Sequence, residues 1–287
     1  MRANEHPADM KDDYTCLHRF EDYTEEDHAI WRELFNRQSK LLVGRACDEY
    51  LQSLPLLGVT AQGIPDFRRM SDILEKATGW TIVTVPGLIP GEVFHRHLAH
   101  RRFPVTWWIR SREQIDYLAE PDIFHDLFGH VPMLMNPVFA DYMQEFGKGG
   151  VKADSLHAMD YLARLYWYTV EFGLIRTPDG IRIYGSGIVS SKTESIYCLE
   201  DARPHRIGFD LTRVMCTDYR YDKLQESYFV IDSFEQLFDA TLPDFTPLYT
   251  SLGDVKNHTI EPYRVLPDDR LFHRGTVEGE AHEAPHL

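Results

Sequence analysis

Apolar residues recur along this chain at two spacings, and the change from one to the other marks its elements. Thr24 precedes three acids, Glu25, Glu26 and Asp27, and then Trp31, Leu34 and Phe35. A hydroxyl at an N-cap with acids in the first turn predicts a helix start. Pro65 opens a second expected helix, with Phe67, Met70, Ile73, Leu74 and Ala77 at helical spacing and Gly79 as its stop. The β-branched run Thr81, Ile82, Val83, Thr84, Val85 predicts a strand, followed by a Pro86-Gly87 turn and a short helix over 90–100. Further strands are expected over 105–109, 181–184 and 228–231, and further helices over 138–146, over 155–172 and from Ser233 onward. Residues 1–20 lack periodicity, and the tail after Pro267 is polar and poor in core residues. The pattern predicts a mainly α fold with a few short β-strands. One domain spans 21–266, between a mobile segment 1–20 and a disordered tail 267–287.

Composition narrows the class. The 287 residues are 43% hydrophobic and 13% aromatic, enough for a sizeable core. With 45 acids against 30 bases the formal charge is −15, a field that repels phosphate backbones and argues against a nucleic-acid partner. No apolar run approaches the ~18 residues of a membrane span. The first residues are polar and acidic, unlike a signal peptide. Cys16, Cys47, Cys198 and Cys216 are scattered without a C-x-x-C pair, which reads as reduced thiols in a cytoplasmic protein.

Candidate chemistry centres on two segments. His125 and His130 stand five residues apart beside Asp122 and Asp126. Five residues of ideal helix turn through roughly 500°, leaving the two rings about 140° apart. Gly129 and Pro132 suggest a helix break near His130 that re-aims its side chain. Two histidines satisfied at a polar helix end are an equal alternative. Glu171 lies among Leu165, Trp167, Tyr168, Val170 and Phe172, so its carboxylate needs a cation or several donors. Arg164, two turns back, is one candidate partner through an internal salt bridge; a metal ion is the other. Two imidazoles and one carboxylate leave half a coordination sphere open, as in non-haem Fe(II) oxygenases. Zinc hydrolases also use such ligands, but no H-E-x-x-H is present, and Asp126 stands where that motif has its glutamate.

The strings PDIFHDLFGHVP, LYWYTVEFGLI and IYGSGIVSSKTESIYCL, in this order, resemble the aromatic amino-acid hydroxylases, and among them the bacterial members that act on phenylalanine. The resemblance runs over about residues 20–250, with further matching text at VPGLIP, RRFPVTWWIR and YFVIDSFEQLFDA. It implies Fe(II) held by His125, His130 and Glu171, and a reaction of L-phenylalanine, dioxygen and a tetrahydropterin that yields L-tyrosine. Ser190 corresponds to a hydroxyl that orients a ligand histidine, although an ordinary helix N-cap would also explain it. Arg110 corresponds to the clamp for the substrate carboxylate, Asp122 to the acid that holds Arg110, and Pro121 and Trp167 to the walls around the ring, with Gly187 leaving space. Phe94 corresponds to the residue that stacks on the pterin. Gly87, Leu88, Ile89 and Gly91 match the loop around it, and Ala163 and Tyr166 the remaining wall. Asp126, where many relatives carry glutamate, implies contact with the pterin through water. Glu194 matches an acid near iron and pterin, with a capping acid after Ser191 as the plain alternative. Leu118 departs from the threonine of animal relatives. His95, His97 and His100 beside the pterin loop could suggest a second metal site, but a solvated helix face is the simpler expectation. With no heptad pattern after Pro267, a monomer without regulatory-domain control is expected. Tyrosine or tryptophan hydroxylation and a non-catalytic amino-acid-binding protein remain the competing functions.

Overall fold

The Thr24 hydroxyl accepts the Asp27 backbone N–H, and the Asp27 carboxylate accepts the Thr24 N–H in return. This reciprocal cap fixes the start of helix α1, Glu25–Leu41. The computed structural model describes residues 7–116, 118 and 120–277. Helix α2 spans Asp48–Leu56 and α3 Phe67–Thr78. Asp66, one residue after Pro65, caps α3, and Gly79 closes it in the left-handed conformation at φ 77°.

Strand β1 (Thr81–Val85), helix α4 (Gly91–Ala99) and strand β2 (Arg102–Thr106) form a parallel unit, with Thr81 opposite Arg102 and Val85 opposite Thr106. The strand expected over 105–109 therefore begins earlier and ends at Thr106. Pro86, next after β1, has no N–H to extend the ladder, and the Thr106 N–H is taken by the Asp126 carboxylate at 2.7 Å. Trp107, Trp108 and Ile109 continue as irregular chain that leads to Arg110.

Helix α5, Pro137–Ser155, runs on past residue 146 through three glycines. A Cβ on Gly147 would lie 2.3 Å from the Ala99 backbone nitrogen, and one on Gly150 only 1.9 Å from the His95 ring. These glycines let α4 lie directly against α5. The long helix expected over 155–172 is instead divided. His157, at φ 52°, separates α5 from α6 (Met159–Tyr166), which then widens into a π turn, Trp167–Glu171.

Five strands form the second sheet in the order β4-β3-β6-β5-β7. They are β3 (Leu174–Thr177), β4 (Gly180–Ile183), β5 (His205–Gly208), β6 (Ser227–Ile231) and β7 (Leu271–His273). Strands β3 and β5 flank β6 in parallel, while β4 and β7 are antiparallel edges. Helices α7 (Ser186–Ser190), α8 (Lys192–Glu200), α9 (Leu211–Cys216), α10 (Phe234–Thr241) and α11 (Thr246–Leu252) complete the domain. The mainly α architecture with a few short strands is as the sequence predicts.

Both ends are more ordered than expected. Cys16 pairs with Thr84 at the edge of β1, and the Asp13 carbonyl meets the His97 ring at 2.9 Å. In the tail, β7 pairs with β5, Arg213 bonds Asp269 at 3.0 Å and Arg270 bonds Asp232 at 2.8 Å. A polar tail can dock through charges and strand pairing without apolar periodicity. Residues 1–6 and 278–287 lie outside the described residues. Arg164 also departs from the salt-bridge alternative. It bonds the Cys216 carbonyl at 3.2 Å and the Thr259 hydroxyl at 3.0 Å, and pairs with Asp218 at 3.4 Å rather than with Glu171.

Gly147→Ala should cost about 1–3 kcal/mol, because the added carbon meets backbone rather than a movable side chain. Thermal unfolding should show a midpoint several degrees lower.

Candidate metal centre

His125 and His130 occupy a π turn, His125–His130, that closes with the Val131 N–H bonded to the Asp126 carbonyl. An i→i+5 turn brings residues five apart toward one side, so the rings converge without a helix break. Gly129 serves another purpose. A Cβ there would lie 3.0 Å from the Ser186 carbonyl oxygen, so glycine lets α7 pack against the turn. The second π turn closes with the Phe172 N–H on the Trp167 carbonyl at 2.8 Å and carries Glu171 at its end.

The two turns bring three donor groups together. His125 Nε2 and His130 Nε2 are 3.0 Å apart, His130 Nε2 is 3.2 Å from Glu171 Oε1, and His125 Nε2 is 3.7 Å from Glu171 Oε2. Donors sharing one ion at right angles, each about 2.1 Å from it, stand about 3 Å apart, so this trio fits a single metal ion. Among the described residues it is the only such group of three or more.

Neighbouring bonds fix the tautomer of His125. The Ser190 hydroxyl donates its proton to the Ser186 carbonyl at 2.8 Å, so at 2.9 Å it can only accept from His125 Nδ1–H. His125 Nε2 is thereby left with a bare lone pair facing His130 and Glu171. Burial holds the His125 imidazole down to about 4, only partly offset by Glu171, so the ring is neutral near pH 7. For Glu171, burial acts upward, but His130 at 3.2 Å and the Ser186 hydroxyl at 2.9 Å outweigh it and keep the carboxylate ionised. Ser190 is not the cap of the following helix; Ser191 is, accepting the Glu194 N–H.

A cavity of about 680 Å³ opens onto His125 and Glu171 and is lined also by Arg110, Pro121, Trp167 and Gly187. Arg110 is buried, and its Nε and one terminal nitrogen grip Asp122 at 2.8 and 2.9 Å. The remaining nitrogen makes only a 3.4 Å contact with the Ile115 carbonyl, so one edge of the fork is lightly engaged. Arg110 and two backbone N–H groups hold the buried Asp122 carboxyl below its ordinary range against the opposing effect of burial. At Gly187 a Cβ would lie 3.1 Å from Glu171 Oε2, so glycine keeps that face clear. Leu118 lines the same cavity.

Another aromatic group flanks His130. Tyr166 lies 6.2 Å from its ring and meets Phe94 edge-on at 5.7 Å. Asp126 is buried beside it, pushed up to about 7 by desolvation. The loop with Gly87, Leu88 and Ile89 leads into α4 at Gly91; Leu88 and Ala163 are exposed. His95 and His100 bond carbonyls one turn back while His97 bonds Asp13, so these three do not gather.

The chain matches the biopterin-dependent aromatic amino acid hydroxylase family over residues 8–247. It belongs to that family. Phenylalanine-4-hydroxylases from Ralstonia nicotianae and Chromobacterium violaceum are each 60% identical to it, covering 96% and 94% of this chain and 87% and 90% of their own lengths. The iron- and phenylalanine-bound crystal structure of the C. violaceum hydroxylase is 59% identical, with a TM-score of 0.87 over 93% of this chain and 95% of that one. A cobalt-bound structure of the same hydroxylase superposes with a TM-score of 0.89.

Two hydroxylase-site neighbours escaped the sequence reading. Ser186 sits inside the string IYGSGIVSSKTESIYCL, but its contact with Glu171 comes from folding across 15 residues of chain. Gln225 belongs to no motif. Glu194 is not the capping acid of the plain alternative: only its backbone N–H joins the Ser191 cap, while its carboxylate accepts the Gln225 N–H at 3.2 Å and the Tyr228 hydroxyl.

Ser190→Ala should weaken iron binding about 10- to 100-fold, by the usual cost of losing a ligand's orienting partner. Chelator competition would measure it. Burial pushes Glu194 up to about 7, partly offset by Tyr228 and the Gln225 N–H. The unfolded carboxyl ionises in the ordinary range, so this group's stabilising share is full at low pH and is lost as pH rises through about 7. Glu194→Gln should therefore raise the unfolding midpoint relative to the parent more at pH 8 than at pH 5.

Proposed function

We propose that this protein hydroxylates L-phenylalanine to L-tyrosine with dioxygen and a tetrahydropterin, at Fe(II) held by His125, His130 and Glu171. The observation that carries the reading is the three-donor cluster beside a cavity that a buried arginine also lines. Bound iron and pterin together supply the activation of dioxygen. The chain's own residues position and shield. Arg110, braced by Asp122, offers its lightly engaged edge to the amino-acid carboxylate. Pro121 and Trp167 confine the aromatic ring, and Gly187 leaves it room. Ser190 keeps His125 in its ligating tautomer, and Glu194 lies on the cavity wall. On the other side of His130, Phe94 would stack on the pterin between Tyr166, Ala163 and the loop of Gly87, Leu88, Ile89 and Gly91. Asp126 would reach it through water. No side chain is required as a general acid or base; the site excludes water around reactants held in register.

The accompanying reading is a cytoplasmic monomer; the four free thiols support the compartment. Among the described residues, no helix is long and apolar enough to cross a membrane.

Apo protein reconstituted with Fe(II) should form tyrosine from L-phenylalanine only when a tetrahydropterin is added, and faster than it hydroxylates tyrosine or tryptophan. Product chromatography checks this; turnover of tryptophan above phenylalanine would overturn the substrate assignment. In the same assay Arg110→Ala should raise the KM for phenylalanine about 10- to 100-fold while iron stays bound.

A further inference from the structure

Gln225 joins three parts of the site and is only 4% exposed. Its Oε1 accepts the Trp167 indole N–H at 2.8 Å. Its Nε2 donates to the Arg220 carbonyl at 2.8 Å and the Lys223 carbonyl at 3.2 Å, and its backbone N–H donates to Glu194 at 3.2 Å. Acceptor and both amide donors are engaged, which fixes the orientation of the group. Between these carbonyls lies an exposed loop whose Tyr221, Asp222 and Lys223 line the cavity. Within the loop, Arg220 pairs with Asp222 at 3.1 Å, a bond that ties it to nothing else. The Trp167 ring is packed by Tyr219 at 4.4 Å and Phe172 at 4.7 Å, which limits its tilt; the bond to Gln225 limits its rotation.

We propose that Gln225 is a positioning residue that locks the Trp167 wall and the 220–224 loop into one arrangement, fixing the width of the slot for the substrate ring. The inference rests on the reading of Trp167 as a wall of the phenylalanine slot. Only a primary amide of this length can accept from the indole and donate to both carbonyls at once. A carboxylate accepts without donating, and a thioether or hydrocarbon leaves all three groups unpaired.

The test uses the full chain supplied with Fe(II) and a tetrahydropterin. Gln225→Met, close in volume and shape, should raise the KM for phenylalanine about tenfold and leave the KM for the pterin unchanged, because only the ring slot loosens. Arg220 and Lys223 give the loop two tryptic sites. Limited trypsin digestion should cut there about tenfold faster in the variant, with other sites unaffected. Gln225→Glu at pH 8 keeps the acceptor for Trp167 and loses the donors, so it should also speed loop cleavage but raise the KM less. It carries the test if Gln225→Met does not fold. Unchanged KM and unchanged loop cleavage would overturn the proposal, as would a parallel rise in both KM values. If the parent enzyme does not hydroxylate phenylalanine, the proposed function fails, and the tryptic comparison still decides whether Gln225 pins the loop.

Discussion

Three electron-rich groups, whose donor atoms lie within 4.8 Å of one another, are the constraint around which this molecule is arranged. Bare lone pairs and a carboxylate do not gather in a buried place unless a cation is to sit among them. The backbone supports that gathering at some cost to itself. Each ligand segment gives up regular α-helical bonding for a π turn, with Val131 bonded to Asp126 in one and Phe172 to Trp167 in the other. Helix α7 then lies close enough for Ser186 to touch Glu171 and Ser190 to hold His125, an approach that glycine at 129 makes possible.

Much of the fold was legible because local chemistry decides it. Thr24 caps the helix it was expected to cap, a helix begins at Ser233 as expected, and β1 falls on the β-branched run that marked it. What escaped depends on partners distant in sequence. Strands β3, β5 and β7 are three or four residues long and exist through pairing with segments far along the chain, or next to them only after a turn. Helix α5 outran its periodicity because its glycines pack against α4 rather than ending the helix. Likewise Arg164, suggested by spacing as the partner of Glu171, is bound instead by carbonyls from α9.

The candidate site was legible to a different degree. Residue types and order singled out His125, His130 and Glu171 through family resemblance, while ideal helix geometry argued against the first pair. The conflict came from assuming an α-helical repeat; a local change of helix type is invisible to a pattern that counts apolar positions. Gln225 lay further out of reach, because nothing in a single amide's sequence context says that an indole and two carbonyls will meet it.

The two flanks of the metal cluster share chain at the neighbours Tyr166 and Trp167 and are otherwise drawn from different segments. Arg110, Trp167, Gly187 and the 220–224 loop stand on one flank, whereas Phe94, Tyr166 and Asp126 cluster about His130 on the other. Away from that junction, substitutions at Arg110, Gly187 or the 220–224 loop reshape the first flank and alter no residue of the second. An ancestral scaffold with this division could diversify in the amino acid it accepts while inheriting the rest of its chemistry intact.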